Sequence, residues 1–206
     1  MNLDTNELRL LSKSDVDRAA EIMARAFYRD PLWDYIMPDE HKQAAQLAKT
    51  FRVFMTASIR NGQTYGAGDP IEGVAVWSAP NQKDGFAGLM GAGFLRLLFS
   101  PVALGFLKAG SMFGRAEAMQ KLYAPEPHFY LNAIGVLPEA QGKGLASKLI
   151  RPFLARADAQ GVSTYTETMT TSNVPLYEHY GFQCMEDYRV PKTELHLWAL
   201  YRTVQR

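Results

Sequence analysis

Between Pro138 and Leu149 the chain reads PEAQGKGLASKL, with two glycines around a lysine. An apolar pattern at helical spacing follows at once, through Leu145, Leu149, Phe153, Leu154 and Ala157. A helix start presents unpaired N–H groups and a partial positive charge, so the ligand it can hold is an anion, typically a phosphate. Glycine at 142 and 144 removes Cβ atoms that would keep oxygens from the amides, and Ala146 is small for the same close approach. Lys143 is either a salt-sensitive phosphate contact or a solvated charge. The competing reading is a glycine-rich turn that caps a helix and binds nothing.

Three phosphate-binding devices look roughly like this stretch. A magnesium-nucleotide loop needs four residues between its first glycine and Gly-Lys, then Ser or Thr. Here Gly144 follows Gly142-Lys143, and the nearest upstream glycine, Gly135, is too far away. A dinucleotide fingerprint needs a third glycine, where Ser147 stands, and a ribose-binding acid about 20 residues on, where Gln160 to Ser163 offer none. The third device is a strand, a turn, and Gln/Arg-x-x-Gly-x-Gly/Ala at a helix start, which Gln141, Gly144 and Ala146 match.

The elements that must position this loop form a mixed pattern. Leu8 to Ser12 reads as a first strand, and Ser14 as the cap of a helix carrying Val16, Ala19, Ala20, Met23 and Phe27. DPLWDYIMPD, Asp30 to Asp39, reads as an aromatic loop or short turn, and His41 to Ile59 as a second helix. QTYGA and IEGVAVWSAP form an antiparallel pair around Gly68-Asp69-Pro70. A glycine-rich helical insertion spans Asp84 to about Tyr123, HFYLNAIGV is a central strand, and the helix after the loop ends at Gly161 with Pro152 inside it. STYTET is a second central strand, VPLYEHY a short helix, and FQCMEDYRV with TELHLWAL the last two strands. The expectation is one α/β domain over residues 1–206, a mixed central sheet with helices on both faces.

Composition narrows the function. Lys plus Arg number 22 against 21 Asp plus Glu, so no long-range field gathers nucleic acid or an anionic membrane. The single cysteine, Cys184, cannot form an internal disulfide and is expected in the core; no ligand spacing suggests a metal. In Phe86 to Phe113, Arg96, Ser100-Pro101 and Lys108 break an apolar stretch well before the ~20 residues of a membrane span. It reads instead as two short buried or interfacial helices, either a lid or a homodimer surface. The N-terminus lacks the basic and apolar regions of a secretory signal, so the expected location is cytoplasmic.

HFYLNAIGVLPEAQGKGLASKLI, then TYTET, then NVPLYEHYGF resemble, in order and spacing, the cofactor half of the GCN5-related N-acetyltransferase (GNAT) superfamily, over His128 to about Phe182. DPLW, the Thr-Glu-Thr strand and N-x-P-x-Tyr-Glu-x-x-Gly-Phe are most similar to puromycin N-acetyltransferase and its relatives. The resemblance implies direct acetyl transfer from acetyl-CoA to an amine, without a covalent enzyme intermediate. It implies that His128–Val136 and Ser163–Thr168 splay apart around the pantetheine arm, with Ile134, Gly135 and Val136 as backbone partners. Gly142, Lys143, Gly144, Leu145 and Ala146, preceded by Gln141, would hold the pyrophosphate. Gly135 in a bulky strand suits a bulge or a close ligand approach, or a packing accommodation.

The resemblance further implies that Tyr177 donates a proton to the departing thiolate, with Tyr180 as its rival. Asn173 would cap its helix or touch the cofactor. Many family members carry an acid in the strand before the phosphate loop, where this chain offers Asn132, which cannot take a proton at neutral pH. Glu167 is the best carboxylate for a general base, with a structural role or binding of the substrate ammonium as its alternatives; His128, at the strand's start, is poorer. Trp33, Tyr35 and Trp77, with Phe27 and Tyr28, either line an acceptor pocket or fill the core. The acceptor is expected to be a small molecule's primary amine. A protein N-terminus or lysine is the second reading, and a catalytically weak acyl-CoA sensor the third.

Overall fold

The computed structural model describes residues 8–80 and 102–205. Its seven strands run β1 (Arg9–Leu10), β2 (Thr64–Ala67), β3 (Gly73–Ser78), β4 (His128–Val136), β5 (Ser163–Thr168), β6 (Gln183–Arg189) and β7 (His196–Arg202). The helices are α1 (Val16–Ala26), α2 (Pro31–Ile36), α3 (Glu40–Arg60), α4 (Ala103–Tyr123), α5 (Leu145–Gln160) and α6 (Asn173–His179). The strands lie in the order β1-β2-β3-β4-β5-β7-β6, with β4 and β5 parallel and the other neighbours antiparallel. Every sheet element expected from the sequence is present in the expected order.

Helices cover both faces. On one, Met23 and Ala26 of α1 press on Gly135 of β4, and Met119 of α4 packs with Tyr130 and Tyr165. On the other, Phe153 of α5 stacks on Trp77 at 4.6 Å between ring centres. α4 is tied to the far edge of the sheet: Arg115 pairs with Glu186 of β6, and Tyr123 Oη donates to the same carboxylate at 2.9 Å.

Three local expectations change. Asp30 to Asp39 is not simply a loop: Asp30 caps α2 by accepting from the Leu32 N–H at 3.0 Å, with Pro31 in the first turn. A proline loses nothing at that position, where its N–H would be unpaired anyway. The cap is not Ser14: Ser12, whose N–H donates to Asp15 Oδ2 at 2.8 Å, starts a 3-10 turn over Lys13–Asp15, and Asp15 is the N-cap residue of α1. Cys184 lies on the edge strand β6 and is exposed, not in the core. The first part of the segment 86–113 lies outside the described residues, and its remainder belongs to one helix, α4. Among the described residues no helix is long and apolar enough to cross a membrane.

Candidate active site

The β4–β5 ladder ends after Leu131↔Thr166. Beyond that step β4 stays paired to β3 and β5 to β7, so the two strands part company while each keeps one neighbour. The cause is local. Opposite β3 the register passes from Trp77↔Leu131 to Val76↔Ala133, which makes Asn132 an extra residue in β4. A bulge adds twist and bends its strand. The Thr166 hydroxyl donates to the Leu131 carbonyl at 2.9 Å, satisfying the backbone where the ladder stops. The bulge is therefore at Asn132, not at Gly135. At Gly135 an added Cβ would lie 2.9 Å from both Met23 Sδ and Ala26 Cβ, so helix packing demands the glycine.

A cavity of about 430 Å³ opens from this cleft. Its β4 wall is Tyr130 to Val136 and its β5 wall Thr166 to Thr168. The end of α1, α2, α3 and α4 close one end with Phe27, Trp33, Phe51, Phe54 and Phe113, while Gln141, Asn173 and Tyr177 line it toward the phosphate loop. Phe27 and Trp33 pack on Phe51 at 5.3 and 5.1 Å between ring centres, so this wall is a continuous aromatic cluster.

Two buried groups flank the cleft from opposite faces of β5. Glu167 accepts a hydrogen bond from the Tyr130 hydroxyl through Oε2. Among the described residues its Oε1 is buried without a hydrogen-bond partner, and the Tyr165 hydroxyl near the same carboxyl is likewise unpaired. Burial raises the carboxyl to about 7, against the acidifying pull of the Tyr130 and Tyr165 hydroxyls. A carboxyl titrating near neutrality is suited to taking a proton. Tyr177 is buried on α6; burial raises its phenol to about 12, opposed by a hydrogen bond with Thr166. It stays protonated near neutral pH and has a proton to give there. Tyr180 is out of contention, since its hydroxyl is 2.8 Å from Ser147 Oγ and it does not line the cavity.

Trp33, Ile134, Gly135, Val136, Gln141, Glu167, Asn173 and Tyr177 thus meet at one cavity. Gln141 donates to the Val136 carbonyl at 3.3 Å, and Asn173 to Thr168 Oγ1 at 3.3 Å. Trp77 does not join them: it is core on the other face, its indole N–H donating to the Leu149 carbonyl at 3.2 Å beside Pro152. Tyr35 packs against the core outside the cavity lining. His128 is also elsewhere, its ring nitrogens at 3.0 Å from Gln120 Nε2 and 2.8 Å from the Glu126 carbonyl.

Gly142, Lys143, Gly144, Leu145 and Ala146 follow Gln141 outside the cavity proper. Gly142 and Gly144 have φ of +76° and +80°, values that side chains rarely adopt, and the space where their Cβ atoms would sit is open. The loop therefore presents backbone at the start of α5, as an anion cradle requires. Pyrophosphate chemistry fits these residues.

Among the cavity residues that sequence reasoning missed are Tyr130 and Asp30. Tyr130 carried no signal, because only the β4–β5 register brings it to Glu167. Asp30 did: an Asp-Pro pair is a helix start as well as a breaker. Its carboxylate accepts from Thr170 Oγ1 at 2.9 Å, and burial raises it.

A family model for the acetyltransferase (GNAT) family matches residues 82–182. An uncharacterized N-acetyltransferase of Schizosaccharomyces pombe is 28% identical over 177 residues, covering 82% of this chain and 70% of that protein. The fold is similar to that of arylalkylamine N-acetyltransferase 2 from Aedes aegypti, with a TM-score of 0.65 at 16% identity, over 96% of this chain and 98% of that one. It is equally similar, at 0.65 and 19% identity over 97% of each chain, to a histone acetyltransferase HPA2 and related acetyltransferase from Corynebacterium glutamicum. Residues 82–182 match the acetyltransferase (GNAT) family, and the chain is an N-acetyltransferase.

Proposed function

We propose that the protein moves an acetyl group from acetyl-CoA directly to the primary amine of a small molecule. One observation carries this reading: the ladder break after Leu131↔Thr166 opens into a cavity flanked by Glu167 on one side and Tyr177 on the other. Acetyl-CoA would supply an activated thioester acetyl group. Gly142, Gly144 and the amides at the start of α5 would hold its pyrophosphate, and the free edge of Ile134–Val136 its pantetheine arm.

Glu167 takes the amine's proton through Oε1 while Tyr130 steadies Oε2. Tyr177 holds a proton on the opposite side of the cleft for the sulfur that departs. The aromatic wall of Phe27, Trp33, Phe51, Phe54 and Phe113 excludes water and accepts an apolar body attached to the amine. Asp30-Pro31-Leu32-Trp33, which resembles the puromycin-type branch, forms part of that same wall. A closed end of this kind favours a small acceptor over a protein chain, since a polypeptide needs an open groove.

Free-thiol release from acetyl-CoA, followed over a panel of aryl and alkyl primary amines and short peptides, tests the reading. Turnover with small amines and none with peptides is expected. Turnover confined to peptides would move the acceptor to protein, and CoA binding without any turnover would support a sensor.

A further inference from the structure

Among the described residues, two buried acceptor atoms that line the cleft have no hydrogen-bond partner. One is Glu167 Oε1 and the other is Asn132 Oδ1. The orientation of the Asn132 amide follows from its surroundings. Its nitrogen lies 3.1 Å from the Tyr130 carbonyl oxygen, which can only accept, and 2.8 Å from Ser78 Oγ. The NH2 group must face that carbonyl, so the remaining atom is the acceptor.

Position joins the two atoms. Leu131↔Thr166 is the last paired step between β4 and β5, and Asn132 and Glu167 are the residues that follow it on the two strands. Both line the cavity. A buried acceptor left unsatisfied costs free energy, and two such atoms one step past the last paired rung are placed to receive donors from a ligand. Neither Tyr177 nor the phosphate loop can do so, since they lie on the other side of the cleft. A neutral primary amine carries two N–H groups and one lone pair. If its two N–H groups bond to Glu167 Oε1 and Asn132 Oδ1, the lone pair is left free for the acetyl carbon.

We infer that Asn132 is a specificity-determining residue, which with Glu167 reads both N–H groups of the acceptor and so restricts the enzyme to primary amines. This rests on the small-amine reading above. Asn132 thus does not replace a missing base. It orients the nitrogen while Glu167 removes the proton, and Ser78 holds the amide in register. A secondary amine offers one N–H, so its N-methyl group would meet one of the two acceptors and leave it buried and unpaired.

The test compares kcat/KM for 2-phenylethylamine and butylamine with their N-methyl counterparts, in the wild type, Asn132→Leu and Ser78→Ala, with CoA affinity measured by calorimetry as a separate readout. The wild type is expected to favour each primary amine by about tenfold or more, the loss of one buried hydrogen bond. Asn132→Leu should lower turnover of the primary amine and bring the ratio close to one, with CoA affinity unchanged. Ser78→Ala should reduce the ratio partway, and it carries the test if the leucine variant fails to fold. Equal rates for primary and N-methyl amines in the wild type would overturn the inference while leaving N-acetyltransfer intact. So would a ratio that survives Asn132→Leu. No turnover with any small primary amine would overturn the acceptor reading itself, and this inference with it.

Discussion

At the residue scale the cleft separates two proton tasks by environment. Glu167 and Tyr177 are both buried, yet burial brings a carboxyl up to about 7 and a phenol up to about 12, so at neutral pH the first can accept and the second can donate. On the proposed reaction, kcat/KM should rise with pH up to about 7 as Glu167 ionises, and Glu167→Gln should abolish that limb with a loss of roughly 100-fold or more. A pH profile of the variant that keeps the limb would assign it to another group. The same carboxyl is a stability liability. Its folded value is raised from 4.5, so the folded state holds more protons between pH 4.5 and about 7, and stability falls as pH rises through that window. Above pH 7, Glu167→Gln is expected to be more stable than the wild type by roughly 2–3 kcal/mol, at about 1.4 kcal/mol per unit. Urea unfolding at pH 8 reads this directly. Tyr177→Phe should lower kcat by about 100-fold and spare CoA affinity; unchanged kcat would remove its role as acid.

At the scale of elements, the glycines divide by cause. Gly144 precedes α5 with φ of +80° and open space around it, so its need for glycine is conformational. Gly144→Val would force a β-branched residue into the left-handed region at a cost of about 1–2 kcal/mol. Calorimetry should show CoA binding weakened by tenfold or more. Gly110, exposed on α4 and also in open space, has no positive φ. Gly110→Ala should raise stability by about 0.5–1 kcal/mol and leave CoA affinity unchanged. A matched effect at both positions would show that the loop glycine is not special. Gly135 belongs to neither class. Its glycine serves the contact with α1, which in turn brings Phe27 and Asp30 to the cavity.

At the scale of the molecule, the C-terminal strands are locked to α5 by an ion pair. Arg202 of β7 is almost wholly buried and binds both oxygens of Asp158 on α5 at 2.7 and 2.8 Å, and its Nε donates to the Tyr180 carbonyl at 3.1 Å. Asp158 also accepts from the Gln205 N–H at 2.9 Å. The arginine holds the Asp158 carboxyl below its usual range, so the pair's contribution is present at neutral pH and is lost as pH falls into the acid range. Asp158→Asn leaves a buried guanidinium without its countercharge and should cost about 3 kcal/mol. Thermal unfolding at pH 7 and pH 3 should show the gap between variant and wild type closing at the lower pH; a constant gap would mean that the charge is not the source.

Wherever a property depended on neighbours along the chain, the sequence by itself determined it. The helix-ending glycine at 161, the helix after the loop and the succession of strands and helices along the chain follow from short-range spacing, because turn conformation and amphipathic period are local matters. Tertiary structure alone decided the rest. The bulge fell at Asn132 because that is where β4 must keep its register with β3 and leave β5. Trp77 went to the core because its strand turns that side chain toward α5. Tyr130 met Glu167, 37 residues away, through the parallel register of two strands, and only that enclosure moved an ordinary glutamate into the neutral range. Burial and register are sums over distant contacts, so no stretch of the chain carries them.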